Sequence, residues 1–137
     1  MVINNSDENK MLINAAKEAM ERSYSPYSNF KVGAALLADD GKIYKGCNIE
    51  NSSYGATICA ERTAIFKAVS EGAVSIVKIA IVSSSGERTF PCGICRQVLV
   101  EFAGDDTKVL LEGEGGTSVE EYALGELVPY AFDGTLL

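Results

Sequence analysis

The stretch that decides the fold is Cys59-Ala-Glu-Arg-Thr-Ala-Ile-Phe-Lys-Ala-Val-Ser-Glu-Gly72, with Val74-Ser-Ile-Val-Lys-Ile-Ala-Ile-Val-Ser83 after it and Pro91-Cys-Gly-Ile-Cys95 beyond a loop. In the first piece Ala60, Ala64, Ile65, Ala68 and Val69 recur at helical spacing and form one apolar face. Gly72 then stands where a helix ends in a left-handed residue. The second piece is rich in Val and Ile and reads as a buried strand. The third opens another helix, carried from about Cys92 to Ala103 and stopped by Gly104. Pro91 suits its start, because a helix leaves its first N–H groups unpaired anyway. Helix, buried strand and helix in succession belong to the α/β class.

Working outward, Lys31 to Ala38 and Lys42 to Asn48 read as strands, and Asp39-Asp40-Gly41 between them is a hairpin signal. Ser23 to Asn29 is a loop. Ser6 with Asp7 and Glu8 starts an earlier helix, whose apolar face is Met11, Leu12, Ala15, Ala16, Ala19 and Met20. On the other side, Thr107 to Glu112 is a fourth strand and Gly113 to Gly116 a turn. Thr117 to Val128 is either a fifth strand followed by a short helical turn or one helix interrupted at Gly125. This order predicts a mixed sheet with helices on its faces, antiparallel at the hairpin and parallel where helices cross over. No repeat or low-complexity linker divides residues 1–137, so one domain is expected.

The chain has 137 residues and a formal charge of −7, with 12 Lys and Arg against 19 Asp and Glu. A binder of duplex nucleic acid needs a basic face, so a small neutral or cationic ligand fits better. There are 0 histidines. That excludes a Ser-His-Asp triad, a Cys-His pair and every zinc site that uses His. A base working near neutral pH must then be a carboxylate, a lysine, a tyrosine, a thiolate or a metal-bound hydroxide. Met1 to Lys10 is polar, without an apolar signal core, and no apolar run reaches the roughly 18–20 residues of a membrane span. A cytoplasmic location is expected, where clustered cysteines suggest metal or redox chemistry rather than disulfides.

The cysteines are Cys47, Cys59, Cys92 and Cys95. Cys59 falls where a loop enters one helix, and Cys92 and Cys95 fall in the first turn of the next. Helix N-termini favour thiolates, and positions i and i+3 share a face. Three thiolates leave one position of a tetrahedral Zn²⁺ open, the arrangement of catalytic zinc. Glu61 would stand beside the metal-bound water as a proton shuttle, and Arg62 would donate to the thiolates and withdraw charge. Alone, Cys-x-x-Cys also suits a redox pair, and Cys-Ala-Glu-Arg a buried thiol beside a surface ion pair. Cys47, inside a strand, reads as a buried core thiol rather than a fourth ligand, which would close the site.

Five segments carry a resemblance: Tyr24 to Ala35, Gly46-Cys-Asn-Ile-Glu-Asn51, Ser53-Tyr-Gly55, Cys59 to Ala64 and Pro91-Cys-Gly-Ile-Cys-Arg-Gln97. Together they resemble the small, homotetrameric, three-cysteine zinc type of cytidine deaminase, from about Ala15 to Phe132. The resemblance implies a three-layer α/β/α fold with a mixed five-stranded sheet. It implies one Zn²⁺ per subunit on Cys59, Cys92 and Cys95, and a zinc-bound hydroxide that attacks C4 of cytosine, with Glu61 shuttling protons. The products would be uridine or 2′-deoxyuridine and ammonia, in pyrimidine salvage. Phe30 would pack on the base and the Ala60 backbone hold it, and Asn48 with Glu50 would bind the ribose 3′-hydroxyl. Phe132 would reach a neighbouring subunit's site, so the implied partners are a nucleoside and further copies of the chain, with no nucleic acid and no membrane. Phe90 departs from the family, which commonly has a small hydroxyl residue before the Pro-Cys pair, and it puts the fit near the amino group in question. Deamination of a modified cytosine nucleoside and a non-catalytic zinc module are the competing readings; the latter has no use for Glu61.

Overall fold

In the computed structural model, which describes residues 1–137, a single sheet runs through the molecule. Its strands are β1 (Val2–Ile3), β2 (Val32–Ala38), β3 (Ile43–Cys47), β4 (Ile76–Ser83), β5 (Lys108–Glu112) and β6 (Val119–Ala123). The helices are α1 (Asp7–Met20), α2 (Ala60–Ser70), α3 (Gly93–Phe102) and the single turn α4 (Leu124–Leu127). The sheet has 6 strands in the order β1-β6-β5-β4-β2-β3, one more than expected. The extra strand is two exposed residues paired antiparallel to β6, too short to leave any alternation in the sequence. Thr117 to Val128 resolves as strand then helical turn. Only β4 and β5 are parallel neighbours; after the α2 crossover β4 lands beside β2 and pairs with it antiparallel.

Both faces of the sheet are covered, which is why β2 and β4 read as nearly unbroken apolar runs. Ala34 and Leu36 of β2, Ile79 and Ile81 of β4, and Val109 and Leu111 of β5 pack on one side with Ala64, Ile65 and Leu99 of α2 and α3. Ala35, Ala80 and Leu110 point the other way and meet Leu12, Ile13 and Ala16 of α1. The three layers are therefore α1, the sheet, and α2 with α3.

Ser6 caps α1, its hydroxyl accepting from the Asn9 N–H at 3.2 Å. The buried face of α1 is Asn9, Leu12, Ile13, Ala16 and Ala19, turned by one residue from the expected one, so Met11 is exposed. Periodicity alone tolerates either phase; contact with the sheet selects Ile13. Two glycines let helices approach closely. A Cβ on Gly33 would stand 1.9 Å from the Ala16 carbonyl oxygen of α1. One on Gly46 would stand 2.5 Å from the Ala64 nitrogen of α2. Gly72 ends α2 with φ +102°, as expected of a left-handed stop. No helix is long and apolar enough to cross a membrane.

Candidate zinc and substrate site

Cys59 is the N-cap of α2 and Cys92 the N-cap of α3, and neither sulfur caps its own helix. Cys95 follows in the first turn of α3. The three Sγ atoms lie within 4.8 Å of one another, and those of Cys59 and Cys92 are 3.8 Å apart. All three thiols are free. Hydrogen bonding with Cys95 draws Cys59 down to about 5; burial opposes this, while Arg62 and Cys92 add to it. The same Cys59–Cys95 contact, with burial, pushes Cys95 up. The Cys59–Cys95 contact thus favours a thiolate on Cys59 and keeps the proton on Cys95. Three clustered thiolates without imidazole suit a soft-to-borderline dication with one open position, which describes Zn²⁺.

Arg62 lies over this cluster, one turn along α2 from Cys59, and its guanidinium donates to the Cys59 sulfur at 3.4 Å. Burial works against its charge, but the Cys59 and Cys95 sulfurs more than offset that and raise it above the usual arginine range. Its Nε is buried without a partner, a spare donor beside the sulfurs.

Glu61 is only 4% exposed. Burial raises its carboxyl to about 7, with the Cys59 thiolate contributing and its own backbone N–H and Arg62 opposing. Such a carboxyl exchanges protons near neutral pH. It opens on a cavity of about 220 Å³ lined by Phe30, Asn48, Ala60, Phe90 and Cys92, among others. That is below the roughly 300 Å³ at which drug-sized pockets begin, so it suits one small ring. Thr57 is shared with a second cavity, about 350 Å³, that holds Glu50.

Asn48 is nearly saturated. Its Nδ2 donates to the Phe30 carbonyl at 2.7 Å, and its Oδ1 accepts from the Val32 N–H at 2.9 Å and from the Ser23 hydroxyl. One N–H remains free. Glu50 accepts from the Tyr27 and Ser28 N–H groups at 2.9 and 3.2 Å through Oε1, and from the Ser28 hydroxyl at 2.5 Å through Oε2. The Ser28 hydroxyl bond, aided by the two N–H groups and opposed by burial, holds Glu50 below the usual carboxylate range, so it is ionised with one lone pair to spare.

The family described as the cytidine and deoxycytidylate deaminase zinc-binding region matches residues 6–111. The chain belongs to this family. A cytidine deaminase of Halalkalibacterium halodurans is 51% identical over 125 residues, 91% of this chain and 94% of that protein. One from Sporosarcina psychrophila is 52% identical over 121 residues, 88% of each. The crystal structure of cytidine deaminase from Burkholderia pseudomallei superposes with a TM-score of 0.83 at 47% identity, covering 90% of this chain and 98% of that one. Three clustered cysteines in a zinc-binding deaminase family make Zn²⁺ the cofactor.

Of the residues expected at the site, the cavity of this deaminase-family chain gathers Phe30, Asn48, Cys59, Ala60, Glu61 and Cys92. Cys95 and Arg62 stand behind it, and Glu50 lines the adjoining cavity. Phe132 joins neither; it is 58% exposed, and Gln97 Nε2 donates to its carbonyl at 2.9 Å. Cys47 is outside the thiol trio but is half-buried rather than a core thiol. It lines a separate cavity with Arg22 and Lys67, because the end of β3 is an open sheet edge. Sequence reading missed Thr57 and Thr89 in the cavity wall, and Ser28 as the partner of Glu50. Only the resembling segment Tyr24 to Ala35, which includes Ser28, pointed toward the last.

Proposed function

We propose that this chain catalyses zinc-dependent hydrolytic deamination of cytidine and 2′-deoxycytidine to the corresponding uridines and ammonia. The observation that carries the reading is Glu61, buried with a carboxyl near 7, opening on a one-ring cavity beside a three-thiol cluster. A cluster that only braced the fold would have no need of such a group. Cys59, Cys92 and Cys95 hold the metal. Bound there, Zn²⁺ supplies Lewis acidity that activates water at neutral pH.

Glu61 takes the proton of the attacking water as its oxygen bonds to C4, and delivers it to ring N3. It then carries the remaining proton from the new C4 hydroxyl to the exocyclic nitrogen, so that C4=O forms as C4–N breaks and ammonia leaves. Arg62 moderates an arrangement in which three thiolates and one dication sum to −1, and so keeps the water acidic. Phe30 packs on the base, fixed by the Asn48–Phe30 hydrogen bond, and the Ala60 backbone holds the pyrimidine. The free N–H of Asn48 donates to the ribose 3′-oxygen, and the spare lone pair of Glu50 accepts from the hydroxyl. A 3′-phosphate would meet the ionised Glu50, which favours nucleosides over nucleotides and polynucleotides.

The reading also places the chain as one domain over residues 1–137, a homotetramer, acting in the cytoplasm in pyrimidine salvage. One sheet joining all the strands supports the first. Phe132, whose ring is exposed and outside its own cavity, supports a site completed by a neighbour, as does Tyr54, 77% exposed at the mouth of the Glu50 cavity. The test is ammonia release from cytidine by the zinc-loaded protein and by Glu61→Gln. The variant should keep its zinc and lose about 10²–10⁴-fold in kcat. Zinc retained with near-normal turnover removes Glu61 from the mechanism.

A further inference from the structure

Phe90 lines the cavity beside Cys92, and its ring is backed from outside by Tyr122 of β6, centroids 5.0 Å apart at 70°. That edge-to-face contact ties β6 to the loop before α3. So does a fork: Arg88 donates through Nε and NH2 to the two oxygens of Glu120, both at 2.7 Å. Glu120 is 2% exposed, and the Tyr122 hydroxyl gives it a third bond at 2.8 Å. Thr89, between Arg88 and Phe90, is held to Ser83 at 2.6 Å. A buried carboxylate with this many donors is a rigid anchor, since any rearrangement leaves charge unpaired. Phe90, 39% exposed, is thus backed on one side by Tyr122 of a braced strand and preceded in the chain by two held residues, Arg88 and Thr89.

Cytosine presents O2, N3 and the amino group on polar edges, and only C5 and C6 on an apolar one. A phenyl ring offers no hydrogen bond, so the apolar edge is the one it suits. Cys92 puts the metal end of the cavity next to Phe90, and that end holds C4, whose apolar neighbour is C5. We propose that Phe90, backed by Tyr122 and the Arg88–Glu120 fork, determines specificity by closing the cavity against substituents at C5 of the pyrimidine. The proposal rests on the deaminase reading of the same cavity. Phe90 touches the base; Arg88, Glu120 and Tyr122 are positioning residues that act through it.

The experiment compares kcat/KM for cytidine and 5-methylcytidine in the zinc-loaded protein, Phe90→Ser, Tyr122→Ala and Tyr122→Phe. Calorimetry adds the Kd ratio for uridine and 5-methyluridine. Inherent effects of the methyl group on reactivity are common to all variants and cancel when preferences are compared. The unmodified protein should prefer cytidine by about 10–200-fold, the range a single misplaced methyl commands in an apolar pocket. Phe90→Ser and Tyr122→Ala should each cut that preference by about tenfold or more, with the Kd ratio falling in parallel. Tyr122→Phe keeps the ring and should keep the preference. A merely structural role would lower both substrates alike. Cytidine turnover with an unchanged preference in Phe90→Ser, or in Tyr122→Ala should the first not fold, overturns the proposal. A zinc-loaded unmodified protein that leaves cytidine intact overturns the deaminase reading and the proposal with it, so the two failures are distinct.

Discussion

Replacing Gly46 by Ala probes how the sheet sets the site. A Cβ there would stand 2.5 Å from the Ala64 nitrogen, 2.6 Å from the Ala60 carbonyl oxygen and 3.0 Å from the Ala64 Cα. All three are helix backbone, so no rotamer change relieves the clash. To regain ordinary contact α2 must back away from β3 by almost an ångström, or β3 must bend. Overpacking of this kind costs about 1–3 kcal/mol. For a domain of this length that is on the order of 4 °C in Tm per kcal/mol, so a fall of roughly 4–12 °C is expected. Ala60 lies between Cys59 and Glu61, so the retreat displaces a member of the thiol cluster and the proposed proton carrier together. A misplacement near 1 Å is worth about 10²-fold in rate. The assay is thermal unfolding by circular dichroism at fixed protein and zinc concentration, with kcat/KM for cytidine and zinc content on the same samples. Gly104→Ala is the control: its Cβ would meet nothing within 4 Å, and the change should stay within about 0.5 kcal/mol. Gly46→Ala with unaltered Tm and kcat/KM would refute the argument that close packing of α2 on β3 places the site.

Three other outcomes are expected. Cys92→Ala should lose stoichiometric zinc by metal analysis and fall in Tm, since metal binding is linked to folding; full zinc content would show that Cys92 is no ligand. Arg62→Ala should lower zinc affinity or turnover; both unchanged would mean that its contact with Cys59 is incidental. The third concerns acid. The hydrogen bond from Arg88, against the cost of burial, holds Glu120 below the usual carboxylate range in the folded state. Its stabilisation is thus complete above the unfolded value of about 4.3 and is lost as pH falls through the lower folded value. Glu120→Gln should be less stable at pH 7 but lose less on going below about pH 4, read from urea midpoints across pH. Parallel acid limbs for the two proteins would remove Glu120 from the pH dependence.

Legibility followed the range of the interaction. The ends of α2 and α3 were readable because their signals are local: Cys59 and Cys92 at the caps, Gly72 at the stop. The thiol cluster followed from those ends, with three cysteines at two neighbouring helix starts. The phase of α1 was not readable, since Met11 and Ile13 are both apolar and only contact with the sheet decides which is buried. Strand β1 was invisible because two residues carry no period, and its pairing with β6 joins opposite ends of the chain. The Arg88–Glu120 fork spans 32 positions with no local mark. The substrate contacts expected of Phe30, Asn48, Glu50 and Phe132 came from resemblance. The structure adds that Asn48 and Glu50 spend most of their hydrogen bonds on the loop that carries Phe30.

The most direct measurement follows the ultraviolet conversion of cytidine to uridine while the protein is stripped of zinc and then titrated back with it. Conversion should be absent in the stripped protein, rise with bound metal and level off at one Zn²⁺ per chain. Conversion indifferent to zinc, or none at full loading, would contradict the account.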